Sequence, residues 1–267
     1  MLNNNIFLAF LLTVIAGLST GIGGLLVLIF RRTSAKLISI ALGFSAGVMI
    51  YVSFVEILDE ANSYLVSSLG YMTGQWATIF SFFFGIAIIA IIDKLVPEPQ
   101  NPHESKRIED AKYCEDSGNG LMKTGIMTAV AIAIHNFPEG IATFISGVNS
   151  PKMGIAIALA IAIHNIPEGI AVSVPVYCAT GSRKKAFKMS LLSGLSEPLG
   201  ALVAFLVLMP FMNDVIFGVI YAAVAGIMVF ISFDELLPSA SEYGEHHLSI
   251  LGLIIGMFVM AVSLIFI

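Results

Sequence analysis

The chain reads AIAIHNFPEGIA at residues 131–142 and AIAIHNIPEGIA at residues 160–171, and the copies differ only at Phe137 and Ile166. Each sets a His, an Asn and a Glu inside an otherwise apolar segment. Imidazole and carboxylate without thiolate suit Zn²⁺, Fe²⁺, Mn²⁺ or Co²⁺ and do not favour Cu⁺. Polar groups within a bilayer are costly and commonly mark the path of an ion or substrate. The chemistry to expect is divalent-cation binding in the middle of a membrane.

Spacing within each copy bears on how a cation would be held. His135 and Glu139 are four residues apart and share one helix face, as do His164 and Glu168. Asn136 and Asn165 are each offset from the His by one residue, and three residues separate each Asn from its Glu. Each Glu therefore lies between the His direction and the Asn direction, so one carboxylate can bridge two positions. The two helices together have room for two ions that share glutamates. Pro138 and Pro167 lack an N–H and clash with the carbonyl four residues back, which predicts kinks beside the motif. A further carboxylate, Glu197 in Ser196-Glu197-Pro198, falls in another apolar segment and is expected to face the same cavity on its Asn-lined side.

These residues need elements that cross a membrane. The chain is 57% hydrophobic and 12% charged, whereas soluble domains are about a quarter charged. A crossing helix takes about 20 apolar residues. The pattern predicts an all-α integral membrane protein, a single transmembrane domain over 1–267. Its eight spans lie near 6–29, 36–58, 76–95, 121–147, 153–177, 187–210, 214–237 and 248–267. The first span has no basic n-region and is expected to be retained. Residues 96–120, rich in Pro, Gly and charge, read as a flexible loop. Cys114 and Cys178 suggest neither a disulfide framework nor a thiolate cage.

Orientation follows from the basic residues. Arg31, Arg32 and Lys36, then Lys94, Lys106, Arg107, Lys112 and Lys123, then Arg183, Lys184, Lys185 and Lys188 all fall on one face, against Lys152 alone on the other. That face is expected to be cytoplasmic, with both termini outside.

A fainter repeat relates the two ends of the chain. Ala46–Leu58 reads AGVMIYVSFVEIL, Ala225–Leu237 reads AGIMVFISFDELL, and Gly17-Leu18-Ser19 resembles Gly194-Leu195-Ser196. Spans one and two then correspond to spans six and seven. An odd number of helices separates the matched pairs, so the copies must run in opposite senses. Such inverted repeats belong to secondary transporters with sites at the midplane. Spans four and five, consecutive and antiparallel, would bring His135 and His164 together there, giving a 3+2+3 arrangement.

Other residues carry weaker signals. Glu56, Asp234 and Glu235 lie toward span ends as vestibule groups or solvated caps. His103, His246 and His247 are cytoplasmic-face histidines, either collecting metal or solvated. Trp76 suits an interface anchor, and Gly43, Gly47, Gly252 and Gly256 suit close helix packing.

With the HN-x-PEG motifs of spans four and five, eight spans and a loop after span three, the whole chain resembles the ZIP (Zrt/Irt-like) family, and within it a bacterial branch of broad-specificity divalent-metal importers. Ile141-Ala142-Thr143-Phe144, Ala225–Met228 and Asp234-Glu235-Leu236 add to the likeness. The resemblance implies one metal position built from His135, Glu139, His164 and Glu168, and a second from Asn136, Glu139, Asn165, Glu168 and Glu197. It also implies that spans one, four, five and six slide against two, three, seven and eight, within a homodimer in the cytoplasmic membrane of a bacterium. Relatives often carry a histidine-rich loop after span three, where this chain has only His103.

The function expected is secondary transport of Zn²⁺, and of Fe²⁺, Mn²⁺, Co²⁺ or Cd²⁺, into the cytoplasm. The cations are substrates; no cofactor, catalytic residue or nucleic-acid partner is expected. Two other classes stand beside this one. A metal-gated channel would show faster, non-saturating flux. An intramembrane metalloenzyme would also use helical Glu and His pairs, but known dimetal sites favour Glu-x-x-His and this chain has no HExxH.

Overall fold

The computed structural model describes residues 2–29, 35–95, 119–243 and 246–266. Among them every regular element is helical, as apolar surroundings require, because a helix satisfies its own backbone polar groups. We number eight long helices. Helix α1 is Leu2–Ile29. Helix α2 runs over 35–69, with a π-helical turn at Ser53–Ile57. Helices α3, α4 and α5 are Tyr71–Leu95, Asn119–Asn149 and Pro151–Thr180. Helix α6 spans 183–211 in pieces: Arg183–Gly194, Ser196–Val203, a π turn Ala204–Leu208 and a 3₁₀ turn Met209–Phe211. Helix α7 covers 214–243, with a π turn at Ser232–Leu236. Helix α8 is His246–Phe266.

Seven of these are long and apolar enough to cross a membrane; α4 is not among the seven. Helix α4 is nonetheless as long as its neighbours. The helices outrun several predicted spans: α2 continues past residue 58 to Leu69, and α7 past residue 237 to Tyr243. The expected loop at 96–120 lies almost wholly outside the described residues, and His103 with it. Its last two residues, Asn119 and Gly120, open α4.

Local chemistry sets the joints. Ser150 accepts a hydrogen bond from the Met153 N–H and Pro151 follows at the first helical position, so Ser150 alone separates α4 from α5. Gly181, at φ 61°, closes α5, and its N–H donates to the Tyr177 carbonyl. Gly70, at φ 81°, divides α2 from α3. Asn213 caps α7 through the Ile216 N–H at 3.0 Å. Helices α4 and α5 stay helical through Pro138 and Pro167. A break in the helix falls in α6 at Leu195, just before Pro198. Cys178 is disulfide-bonded, against the expectation of unlinked cysteines.

The helices sort into two groups by packing. Helices α1, α4, α5 and α6 pack on one another; α2 packs on α8 and α7, and α3 on α7 and on the end of α2. The groups meet where α2 lies on α5 and α4 on α7. Outward faces are apolar, as with Phe80, Phe83 and Phe84 on α3 and Phe258 on α8.

The inverted repeat reaches atomic detail. Both Ser-Phe-x-Glu motifs form π turns, Ser53–Ile57 and Ser232–Leu236. Helices α1 and α6 cross where a Cβ on Gly17 would strike the Gly194 carbonyl and one on Gly194 the Gly17 carbonyl. The Gly140 Cα faces the Glu197 carbonyl, and its mate Gly169 faces the Thr20 carbonyl. Gly47 of α2 meets the Leu253 carbonyl of α8, while Gly226 of α7 meets that of Phe82 in α3. Gly256 likewise meets the Phe44 carbonyl and Gly85 that of Ala223. The correspondence therefore takes in α3 with α8 as well as the two matched pairs seen in the sequence.

Candidate metal centre

All seven candidate ligands are interior: His135 is 1% exposed, and Asn136, Glu139, His164, Asn165, Glu168 and Glu197 are wholly buried. They come from three helices whose close approach depends on glycine. At Gly140 and Gly200 of α4 and α6, and at Gly169 and Gly23 of α5 and α1, a backbone carbonyl of the partner helix takes the place of a side chain. This draws the motif segments of α4 and α5 against α6 and α1.

The histidines pair across the two helices, not within one. His135 Nε2 lies 3.2 Å from Glu168 Oε2, and His164 Nε2 stands 3.4 Å from both oxygens of Glu139. The i,i+4 spacing thus puts each His and Glu on one face, and the antiparallel neighbour supplies the partner. Two donors on one tetrahedral Zn²⁺ stand about 3.4 Å apart, so these separations also suit an edge of a zinc coordination shell. Among the described residues, however, no three His, Cys, Asp or Glu side chains are placed to hold one ion together. The candidates meet as pairs.

The Asn-lined side is built differently. Asn165 Nδ2 donates to Glu197 Oε1, and also to the Ala16 carbonyl at 3.1 Å. Glu197 sits in the first turn of the segment that restarts after Leu195, where carboxylates are favoured by the helix dipole. Glu139 and Glu168 are among its charged neighbours. Asn136 finds no hydrogen-bond partner for either side-chain atom among the described residues. The position matching Glu197 across the repeat is Thr20, whose hydroxyl is also unpartnered.

Unpaired acceptors are the notable property of this interior. Asn136 Oδ1, Asn165 Oδ1, Glu139 Oε1 and Glu197 Oε2 are buried and accept no hydrogen bond from any described residue. Such atoms are rare because burial without a partner is costly. Four oxygens short of donors, together with two imidazoles, make an environment suited to a cation.

Two residues outside the expected ligand set touch it. Glu235 Oε2, expected near a span end, lies 3.6 Å from His135 Nδ1 and is 18% exposed. Ser45 of α2, fully buried, has one hydroxyl proton to donate, with Glu168 Oε1 at 3.0 Å as the nearer acceptor and the His164 carbonyl at 3.2 Å. Glu235 was marked by its repeated motif; Ser45 directly precedes that motif and had no mark of its own. Glu56, the mate of Glu235, lines a separate cavity of about 330 Å³ with Ser150, Lys152, Met153, Ala156 and Leu264. Exposed His246 and His247 stack edge to face at the start of α8.

Known proteins place this arrangement in a family. The family model described as ZIP zinc transporter matches residues 97–264. The chain is 62% identical to zinc transporter ZupT of Lysinibacillus sphaericus, covering 99% of each chain. It is 57% identical to zinc transporter ZupT of Streptococcus mutans over 99% of each, and 60% identical to that of Oceanobacillus iheyensis over 98% of each. The chain, whose helices suit repeated crossing of a membrane, belongs to the ZIP family of zinc transporters and is a membrane transporter, not an enzyme.

Proposed function

We propose that the chain carries Zn²⁺, and with it Fe²⁺, Mn²⁺, Co²⁺ or Cd²⁺, into the cytoplasm through a binuclear site midway across a bacterial cytoplasmic membrane. The observation that carries this reading is the cluster of buried oxygen acceptors without donors beside His135 and His164. The zinc transporters named for its relatives agree in substrate. One position is formed by His135, Glu139, His164 and Glu168. The other is formed by Asn136, Asn165 and Glu197, and it shares Glu139 and Glu168. The residues described as pairs would close on an ion by rotation of the shared carboxylates.

In this reading α1, α4, α5 and α6 carry the site and move against α2, α3, α7 and α8, giving alternating access. The sorting of helices by packing supports it. The whole chain acts as one transmembrane domain, works as a homodimer, and keeps both termini outside. The Glu56 cavity beside Lys152 then opens toward the exterior, and Glu235 lies on the cytoplasmic side of the site.

The test is Zn²⁺ uptake into proteoliposomes containing the purified protein and a trapped indicator. Saturable uptake that disappears in Glu168→Ala is the expected result. Non-saturating flux would favour a channel. Absent flux under any gradient, with tight binding retained, would favour a metalloenzyme.

A further inference from the structure

We infer that Ser45 is a positioning residue that makes the two shared glutamates unequal, fixing Glu168 while Glu139 keeps freedom to turn. The inference rests on the reading of Glu139 and Glu168 as cation ligands. Both Glu168 oxygens are engaged, and from different sides. Oε2 faces His135 Nε2 at 3.2 Å, on α4, whereas Oε1 accepts from the Ser45 hydroxyl at 3.0 Å, on α2. Glu139 faces His164 alone, at 3.4 Å, and its Oε1 has no hydrogen-bond partner among the described residues.

The inequality comes from one side chain and not from the backbone. The pseudo-twofold relation holds at the glycine contacts of every matched helix pair described above. In that relation Ser45, which precedes Ala46, corresponds to Val224, which precedes Ala225. Val224 is buried, but its methyl groups cannot donate. Glu139 therefore lacks the donor that its mate has.

The position of Ser45 gives the bond a consequence. Helix α2 belongs to one packing group and α5 to the other. A hydroxyl that crosses this boundary holds the Glu168 carboxylate in one orientation only while the groups keep their present register. A cation reaching the site would meet one preset carboxylate and one that swings to complete its shell. The Ser45 bond then favours capture in this register and must break when the groups move.

Removing a hydrogen bond to a charged group is expected to weaken capture about ten-fold. Ser45→Ala is close to isosteric, so its packing is preserved. In proteoliposomes S45A should raise the KM for Zn²⁺ about ten-fold with Vmax equal to or above that of the unaltered protein. S45T, which keeps the hydroxyl, should return KM to within two-fold. A packing defect would lower Vmax and the amount of folded protein instead. A KM within two-fold in S45A overturns the proposal, as does a well-folded S45T that behaves like S45A. If S45T does not fold, the S45A value alone decides. Glu168→Ala is measured beside them: full transport by E168A would remove the site reading itself, whereas a dead E168A with an unaltered S45A removes only the role of Ser45.

Discussion

A carboxylate that serves two cation positions cannot be replaced by a neighbour. In the proposed binuclear site, Glu139 and Glu168 are the residues that both the His-lined and the Asn-lined positions would require, and both are wholly buried. Glu168→Ala or Glu139→Ala should therefore abolish Zn²⁺ uptake, and uptake near the unaltered rate in either would refute shared coordination. In the same reading His135→Ala would remove a ligand from one position alone. It should alter competition among Zn²⁺, Mn²⁺ and Cd²⁺ more than it reduces maximal flux, as read from uptake of one metal against a series of others. In the proposed site Glu197 would belong only to the Asn-lined position; Asn165 holds one of its oxygens, and the other has no hydrogen-bond partner among the described residues. Glu197→Ala is expected to reduce bound Zn²⁺ from two ions per chain to one, measured by elemental analysis of the dialysed, metal-saturated protein. Two ions retained in E197A would show that this carboxylate is not a ligand.

Helices come together here by backbone contact, so glycine decides whether the site exists. A Cβ on Gly140 would run into the carbonyl, carbonyl carbon and Cα of Glu197, and none of these can move aside as a side chain would. Gly140→Ala is expected to cost about 1–3 kcal/mol through overpacking, visible as a lower Tm, and to separate Glu197 from the α4 and α5 motif. Gly21→Ala offers the contrast. Its Cβ would meet chiefly a Leu191 side-chain tip at 3.0 Å, so its Tm should stay near that of the unaltered protein. Equal losses in the two variants would refute backbone contact as the cause. At this scale the sequence was informative within clear limits. The apolar pattern anticipated long helices, and seven of those described are long and apolar enough to cross a membrane, α4 being the exception. The pattern ended α2 and α7 too early because Leu58–Leu69 and Leu237–Tyr243 continue as helix beyond the apolar stretch. The π turns had no compositional signal, yet both fall on the repeated Ser-Phe-x-Glu. The seven candidate ligands were legible because polar residues stand out in apolar helices. Their pairing was not legible, since His135 meeting Glu168 depends on how α4 and α5 are rotated against each other. Ser45 was not legible either, because a small hydroxyl residue is ordinary in a membrane helix and only its contact distinguishes it.

Across the whole molecule, polar contacts join the two packing groups at two levels. At the site Ser45 holds Glu168 and Glu235 faces His135. Further along, Tyr221 donates to the Ala142 carbonyl at 3.4 Å, and Asn149 donates to the Tyr64 hydroxyl. Tyr64 and Tyr221 both pack on Phe217, with ring centroids 4.5 and 4.4 Å away, so α2 and α7 present one aromatic wall to α4. If transport requires sliding of one group past the other, that wall must lose its partners on α4 in each cycle. Tyr64 and Asn149 lie on opposite sides of this boundary and at its margin, where reagents reach them. With Cys114 and Cys178 changed to Ser, a Tyr64→Cys, Asn149→Cys pair joined by a short thiol-reactive linker should stop Zn²⁺ uptake. Reduction of the linker should restore uptake, and each single cysteine treated alike should leave it intact. Cross-linking carried to completion without loss of flux would mean that the cation passes while the groups remain in register. That result would favour a conduction path between fixed helices over a moving carrier.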